Sequence, residues 1–274
     1  EDVSLNSILA CQTPVATLVG KAWDLHVTEV LGCPLDRNLA ICAESVEYLK
    51  GKGLEVIFDA EHFFDGYKAN PEYAVKVLTA AADAGADVLV LCDTNGGSLP
   101  EDVYDITKAV CKDFASTTIG IHAHNDCDCA NANSLAAVRA GARHVQGTIN
   151  GLGERCGNAN LCTVIPNLAF KMGLDVLRPE RLGTLTEVSR FVFEVANLPP
   201  VSNMPYVGES AFAHKGGLHV DALRKNRRTY EHVDPELVGN RRRFLLSELS
   251  GKSNILAKLE QAKLAEDKEL ARRI

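Results

Sequence analysis

The chain has 274 residues, 46% of them hydrophobic, and a formal net charge of -7. That length supports one large core with an appendage; no run of about 18 apolar residues is present to span a bilayer, and the acidic balance argues against nonspecific nucleic-acid binding, leaving Arg241, Arg242 and Arg243 as a local basic run. No basic segment followed by an apolar one opens the chain as a secretory signal would, and nine cysteines without paired spacing fit reduced, mostly buried thiols in the cytoplasm.

Residues 13–19 predict a buried strand, followed by GKAWDLHV at 20–27. Residues 36–50 carry apolar positions at helical spacing, with Asp36 a candidate cap and Gly51 and Gly53 as stop signals. A second strand follows at 54–58, and DAEHFFDGYKAN at 59–70 predicts a polar loop. Pro71 stands where a first helical turn tolerates proline, and that helix runs through Ala84 to Gly85. The unit then recurs. A strand at 87–91 leaves through CDTNGGS to a helix from Pro100 towards Phe114; a strand at 118–122 precedes a helix at 130–140; a strand at 144–149 leaves through NGLGERCGN to a helix at 161–172.

Five strand-loop-helix units repeating at about 30 residues predict an α/β protein with a parallel sheet. Polar residues gather where the strands end, the ligand-binding edge of closed barrels and of open doubly wound sheets alike. An eight-stranded barrel takes roughly 250 residues, and these units are complete by residue 173. The choice lies between an open sheet and a barrel whose first three strands are lost; the start at Glu1 without a methionine favours loss.

Beyond them, 184–197 predicts an amphipathic helix with Leu185, Val188, Val192 and Val195 on one stripe, ended by Pro199 and Pro200. The expected organisation is a catalytic barrel in 1–198, then a linker and active-site-capping subdomain in 199–274. Residues 201–250 read as loop-rich, and 255–274 as a charged helix with a thin stripe of Ile255, Leu259 and Leu270.

The stretch TIGIHAHNDCDCANAN at 118–133 carries the clearest chemistry. In a strand His122 and His124 project from one face, and two imidazoles so placed reach one divalent cation; the plainer alternative is an imidazole bonded to a carboxylate in a packed barrel. Asp93 is a candidate orienting carboxylate, with Thr94 and Asn95 as neutral partners, against an Asx-type turn into Gly96 and Gly97. Asp59 and Glu61 share a face if the second strand persists that far, with His62 pointing away. Glu61 is then a candidate acid–base group rather than a solvated loop carboxylate.

GTINGLGERCGN at 147–158 matches no Walker or dinucleotide fingerprint. Asn158 offers a neutral oxygen to a hard cation, and Arg155 braces the loop through Glu154 or another carboxylate. His214 and His219 flank a Lys-Gly-Gly segment suited to closing over a barrel mouth, or else pack on turns. Tyr230 and Asp234 are weaker candidates, and Cys92 and Cys156 lack a base arrangement for thiol catalysis.

IHAHND at 121–126, QGTINGLGERCGN at 146–158 and AFAHKGGLHVDAL at 211–223 resemble the acyl-CoA-condensing family of 2-isopropylmalate and homocitrate synthases. GKAWDLHV, FDAEHFFDGYKANPEYA at 58–74, LCDTNGG at 91–97 and YEHVDPELVGNRRR through SELSGKSN are most similar to its citramalate-forming branch, so the resemblance covers most of the chain. It implies a TIM-type (β/α)8 barrel of which these strands are the fourth to eighth, followed by a small α-rich appendage. It implies His122, His124 and Asn158 as metal ligands, completed by an aspartate on a first strand that this sequence does not include. Glu61 takes the acid–base role, Thr94 binds substrate, and His219 and Tyr230 become acid–base or positioning residues, with Arg155 and His214 as substrate-binding candidates. The choice between His214 and His219 stays open.

The implied chemistry is a Claisen-type condensation of acetyl-CoA with pyruvate, assisted by Mg, Mn or Zn and followed by thioester hydrolysis to (R)-citramalate and CoA for isoleucine synthesis, in a homodimer. The alternatives are a 2-isopropylmalate or homocitrate synthase with a larger 2-oxo acid, a metal-dependent aldolase or lyase, and a noncatalytic homologue.

Overall fold

The computed structural model describes residues 3–245. The charged helix expected at 255–274 lies outside the described residues. By its contacts the chain divides into two units, Glu1–Val164 and Ile165–Ile274.

In the first unit, helix α1 (Val3–Ala10) precedes strand β1 (Val15–Lys21) and a π-helical turn at His26–Val30. Helix α2 (Leu35–Gly51) buries Asn38, Cys42, Val46 and Leu49, a stripe at helical spacing. Its flanking residue is Pro34, without a side-chain cap, so Asp36 lies inside the first turn and is not the cap. Strand β2 (Glu55–Glu61) runs three residues beyond the expected end. Helix α3 (Phe63–Ala69) then occupies what reads in the sequence as a polar loop, because Phe63 and Phe64 are both buried. Helix α4 (Pro71–Asp83) starts on Asn70, whose side chain accepts from the Tyr73 N–H, with proline in the first turn.

Strand β3 (Val88–Asp93) is buried along its whole length, followed by α5 (Pro100–Asp113), β4 (Thr118–Ala123), α6 (Ala130–Ala140) and the short β5 (His144–Gln146). The five strands are parallel and lie in chain order, β1-β2-β3-β4-β5. This is an arc of a TIM-type barrel: helices connect the successive parallel strands, and every strand delivers its carboxyl end to the same edge. Helix α7 (Leu161–Phe170) contains the division between the units.

The second unit continues with α8 (Pro179–Leu182) and α9 (Leu185–Val195). The stripe expected on α9 is not the one buried. Leu185, Thr186, Ser189 and Phe193 face inward, whereas Val188 and Val195 are exposed, and Thr186 is held inside by donating its hydroxyl to the Val238 carbonyl at 2.7 Å. Strand β6 (Ala213–His214), helix α10 (Gly217–Lys225) and strand β7 (Arg243–Phe244) complete the appendage, β6 pairing with β7 in parallel. The segment expected to be loop-rich therefore holds a helix and a small sheet. Among the described residues no helix is long and apolar enough to cross a membrane.

Candidate active site

Strand alternation and register together build the site. Lys21 at the end of β1 is in register with Glu61 at the end of β2. Cys92 on β3 is in register with His122 on β4, and His122 with Gln146 on β5. One step earlier Asp59, Val90, Gly120 and His144 form a second row. Both rows share a face: Ile57 packs on Val90 and Cys92, and a side chain at Gly120 would strike Val90 and His144.

The extension of β2 gives Glu61 a rigid position. Its carboxylate closes an ion pair with the Lys21 ammonium, both side chains about three-quarters buried. His62 then leaves the strand in the left-handed region, φ 57°, and its N–H donates to Thr94 Oγ1 at 2.8 Å. The His62 ring lies 4.1 Å from that of His26, on which Trp23 stacks at 5.5 Å. Burial, then the neighbouring His62 and Lys21, push His26 below the usual imidazole range.

The structure brings His122, His124 and Asn158 together. The two imidazoles are 5.2 Å apart, His124 and Asn158 form an isolated antiparallel bridge, and Asn158 Nδ2 is 3.1 Å from His122 Nε2. His122 Nδ1 lies 2.7 Å from Gln146 Oε1, and Gln146 Nε2 donates to Asp59 Oδ1 at 2.8 Å. Burial, which raises a carboxyl group's pKa, outweighs that bond for Asp59. Asn158 is held from behind by Gly153, where a Cβ would fall 1.8 Å from Asn158 Oδ1.

Among the described residues no group of three or more His, Cys, Asp or Glu side chains is arranged to hold a metal ion. Two imidazole nitrogens and a carboxamide oxygen are nevertheless lone-pair donors of the kinds that divalent cations accept. Buried His124 Nδ1 has no partner, the kind of polar atom a ligand satisfies. Burial, His122 and Arg155 push His124 below its usual range, favouring the neutral ring that binds metals. The donor set fits.

Arg155 is braced by Asp126 rather than Glu154, through Nε and Nη2 at 2.7 and 2.8 Å, while Nη2 also donates to the Thr94 carbonyl at 2.7 Å. This holds the Asp126 carboxyl below the usual carboxylate range. Gly96, φ +63°, makes room for the pair, since a Cβ there would lie 2.5 Å from Asp126 Oδ2. Arg155 thus ties three exit loops together. Asp93 turns to its own loop: it is buried and accepts from Ser98 N at 3.3 Å and Ser98 Oγ at 3.0 Å, while Asn95 Nδ2 donates to Asp65. Cys92 is buried and its thiol is pushed well above the ordinary value by burial and then by Asp59, so it is no thiolate; Cys156 is exposed.

In the second unit the two histidines have different surroundings. His214 is buried on β6, its Nε2 3.2 Å from Glu231 Oε1, and Glu231 accepts from Arg242 Nε at 2.5 Å. Burial pushes His214 down against the opposing pull of Glu231. His219, on α10, stacks on Tyr230 with ring centroids 4.0 Å apart and planes 24° from parallel. Asp234 caps a helical turn by accepting from Glu236 N at 3.2 Å. The residues that sequence reasoning missed are Lys21, His26 and Gln146. All three lie in stretches that carry the resemblance, Lys21 and His26 in GKAWDLHV and Gln146 at the start of QGTINGLGERCGN, but none had a partner visible in the sequence.

The sequence and the fold both have counterparts among known proteins. The HMGL-like family model matches residues 5–192. The chain belongs to the HMGL-like family. A second model, the homocitrate synthase post-HMGL domain-like one, matches residues 206–274 of this HMGL-like chain. The chain is 59% identical to an (R)-citramalate synthase of Aquifex aeolicus, over 95% of this chain and 49% of that protein. It is 54% identical to one of Geobacter sulfurreducens, over 97% of this chain and 50% of that protein. The chain thus spans about half the length of these curated relatives. The HMG-CoA lyase of Bacillus subtilis shares the fold, with a TM-score of 0.63 at 21% identity, covering 73% of this chain and 70% of that one.

Proposed function

We propose that this protein condenses acetyl-CoA with pyruvate to (R)-citramalate and CoA. The observation that carries the reading is 59% identity to an (R)-citramalate synthase sustained over 95% of the chain, joined to a carboxyl edge that holds Glu61, His122, His124 and Asn158.

His122, His124 and Asn158 would hold a divalent cation, Mg, Mn or Zn. A cation so bound supplies Lewis-acid polarisation of a keto group. Glu61, aimed by Lys21, removes a proton from the acetyl methyl group, and the enolate carbon attacks the keto carbon of pyruvate. Thr94 orients the oxo acid through a hydroxyl whose proton remains free to donate after accepting from His62 N–H. Arg155 keeps Thr94 in place. The His219–Tyr230 pair delivers a proton to the developing alkoxide, and water then hydrolyses the thioester. His214 supports that segment through Glu231. Residues 199–274 act as an active-site-capping subdomain in a homodimer, and nine cysteines that form no disulfide among the described residues suit the reducing cytoplasm.

The test is acetyl-CoA-dependent CoA release by the full-length protein with pyruvate, 2-oxoisovalerate or 2-oxoglutarate, with and without divalent metal. Metal-dependent release selective for pyruvate, with citramalate detected, supports the reading. Selectivity for either larger acid transfers the protein to another synthase, and no release from folded, metal-loaded protein overturns it.

A further inference from the structure

One buried carboxylate sets the direction of a chain of hydrogen bonds that leads from β2 to the candidate metal position. Asp59 is 8% exposed, and an ionised carboxylate only accepts. The amide nitrogen of Gln146, not its oxygen, must therefore face Asp59, and it does so at 2.8 Å. That choice places Gln146 Oε1 2.7 Å from His122 Nδ1. A carbonyl oxygen likewise only accepts, so Nδ1 must carry the ring proton. In a neutral imidazole the other nitrogen then bears the lone pair. Asn158 Nδ2, 3.1 Å from Nε2, meets that lone pair with a donor, which a cation on Nε2 would displace, turning the carboxamide to offer its oxygen. Side chains from three strands, β2, β5 and β4, thus pass one polarity from one row to the next.

We propose that Asp59 and Gln146 are positioning residues that lock His122 in its Nδ1–H tautomer and so present Nε2 as the nitrogen donor to a divalent cation. The metal half of this proposal rests on the assignment of His122 as a ligand; the tautomer half does not. Groups that support metal-bound histidines typically change affinity or activity by about 10- to 100-fold when removed. The proposal also explains why a carboxylate is kept in a buried row beside neutral partners. An asparagine at position 59 offers both a donor and an acceptor, which frees Gln146 to turn over and present its NH2 group to His122 Nδ1. The ring would then carry its proton on Nε2 and lose the donor.

The test uses the metal-free full-length protein, labelled with 15N at histidine, at pH 8, with the His122 resonances assigned by their loss in His122→Gln. Long-range 1H–15N spectra are expected to show a protonated Nδ1 and an unprotonated Nε2 in the wild type. Asp59→Asn, nearly the same shape, is expected to move the ring towards the Nε2–H form, and both Asp59→Asn and Gln146→Met to weaken Mn2+ binding about 10- to 100-fold in direct titration. An Nε2–H tautomer in the wild type overturns the proposal without recourse to any variant. So does an Asp59→Asn protein that melts cooperatively with unchanged tautomer and unchanged Mn2+ affinity. If His122→Gln binds Mn2+ as the wild type does, the ligand assignment falls and takes the metal half with it, while the spectra still decide the tautomer.

Discussion

Lys21 and Glu61 stand opposite each other in the β1–β2 ladder and join in an ion pair whose side chains are only 25% and 23% exposed. A glutamate at a strand end has several rotamers open to it, and a fixed ammonium in register selects one. Replacing Lys21 with methionine keeps the length of the side chain and removes that anchor. Turnover is expected to fall by about tenfold to a hundredfold, the scale of an ångström's misplacement of a reacting group, while Lys21→Arg retains most of it. Steady-state CoA release with saturating substrates reads the effect. An unchanged rate in Lys21→Met would show that Glu61 needs no partner.

Gly153 is a second point of control. A Cβ there would lie 1.8 Å from Asn158 Oδ1, so Gly153→Ala must displace the carboxamide or its loop. Overpacking of this kind costs about 1–3 kcal/mol, and the expected signature is a lower unfolding temperature together with weaker Mn2+ binding. Calorimetry and metal titration on the same sample check it; a variant with wild-type affinity would remove Asn158 from the ligand set.

Acid should destabilise the first steps of the titration range. His124, His144, His214 and His232 are pushed below the usual imidazole value chiefly by burial, as is His26. Above about pH 6.5 these rings are neutral in both the folded and the unfolded chain. As pH falls through about 6.5 the unfolded chain takes up protons that the native rings still refuse, so stability is lost down to their lower folded values. Asp59 and Asp93, raised by burial, act in the opposite sense nearer the carboxylate range. Unfolding midpoints measured at pH 7.5, 6.5 and 6.0 are expected to decline. A flat or rising series contradicts the burial of these rings.

The sequence carried the succession of strands and helices and the HxH pair because both rest on short-range rules. Alternation along 118–123 is enough to put His122 and His124 on one face, and Pro71, Pro100 and Gly141 punctuate their helices locally. The reach of β2 to Glu61 was not legible, since it depends on the ladder with β1, a pairing between residues some 40 positions apart. Helix α3 was hidden for a similar reason: FFDGYKA is a poor helix by propensity, and it forms because Phe63 and Phe64 are buried, while Gly66 admits the Ala22 carbonyl that a Cβ would approach to 2.5 Å. On α9 the apolar residues occupy more than one stripe, and a polar partner, the Val238 carbonyl, draws Thr186 inward. Gln146 escaped notice because its role exists only between Asp59 and His122, on two other strands.

Arg155 tests whether the exit loops act as one element. Its guanidinium bonds Asp126 through both Nε and Nη2 and also reaches the Thr94 carbonyl, a fork that an ammonium cannot reproduce. The pair is partly exposed, with side chains 44% and 25% accessible, so its worth to overall stability is small. Arg155→Lys should therefore leave the unfolding midpoint nearly unchanged. The position of Thr94 is more sensitive, and kcat/KM for the 2-oxo acid is expected to drop by roughly tenfold to a hundredfold, with KM for acetyl-CoA much less affected. Kinetics with each substrate varied in turn separate the two. A loss shared equally by both substrates, or a fall in midpoint with kinetics intact, would mean that Arg155 braces the fold without serving the oxo-acid side of the site.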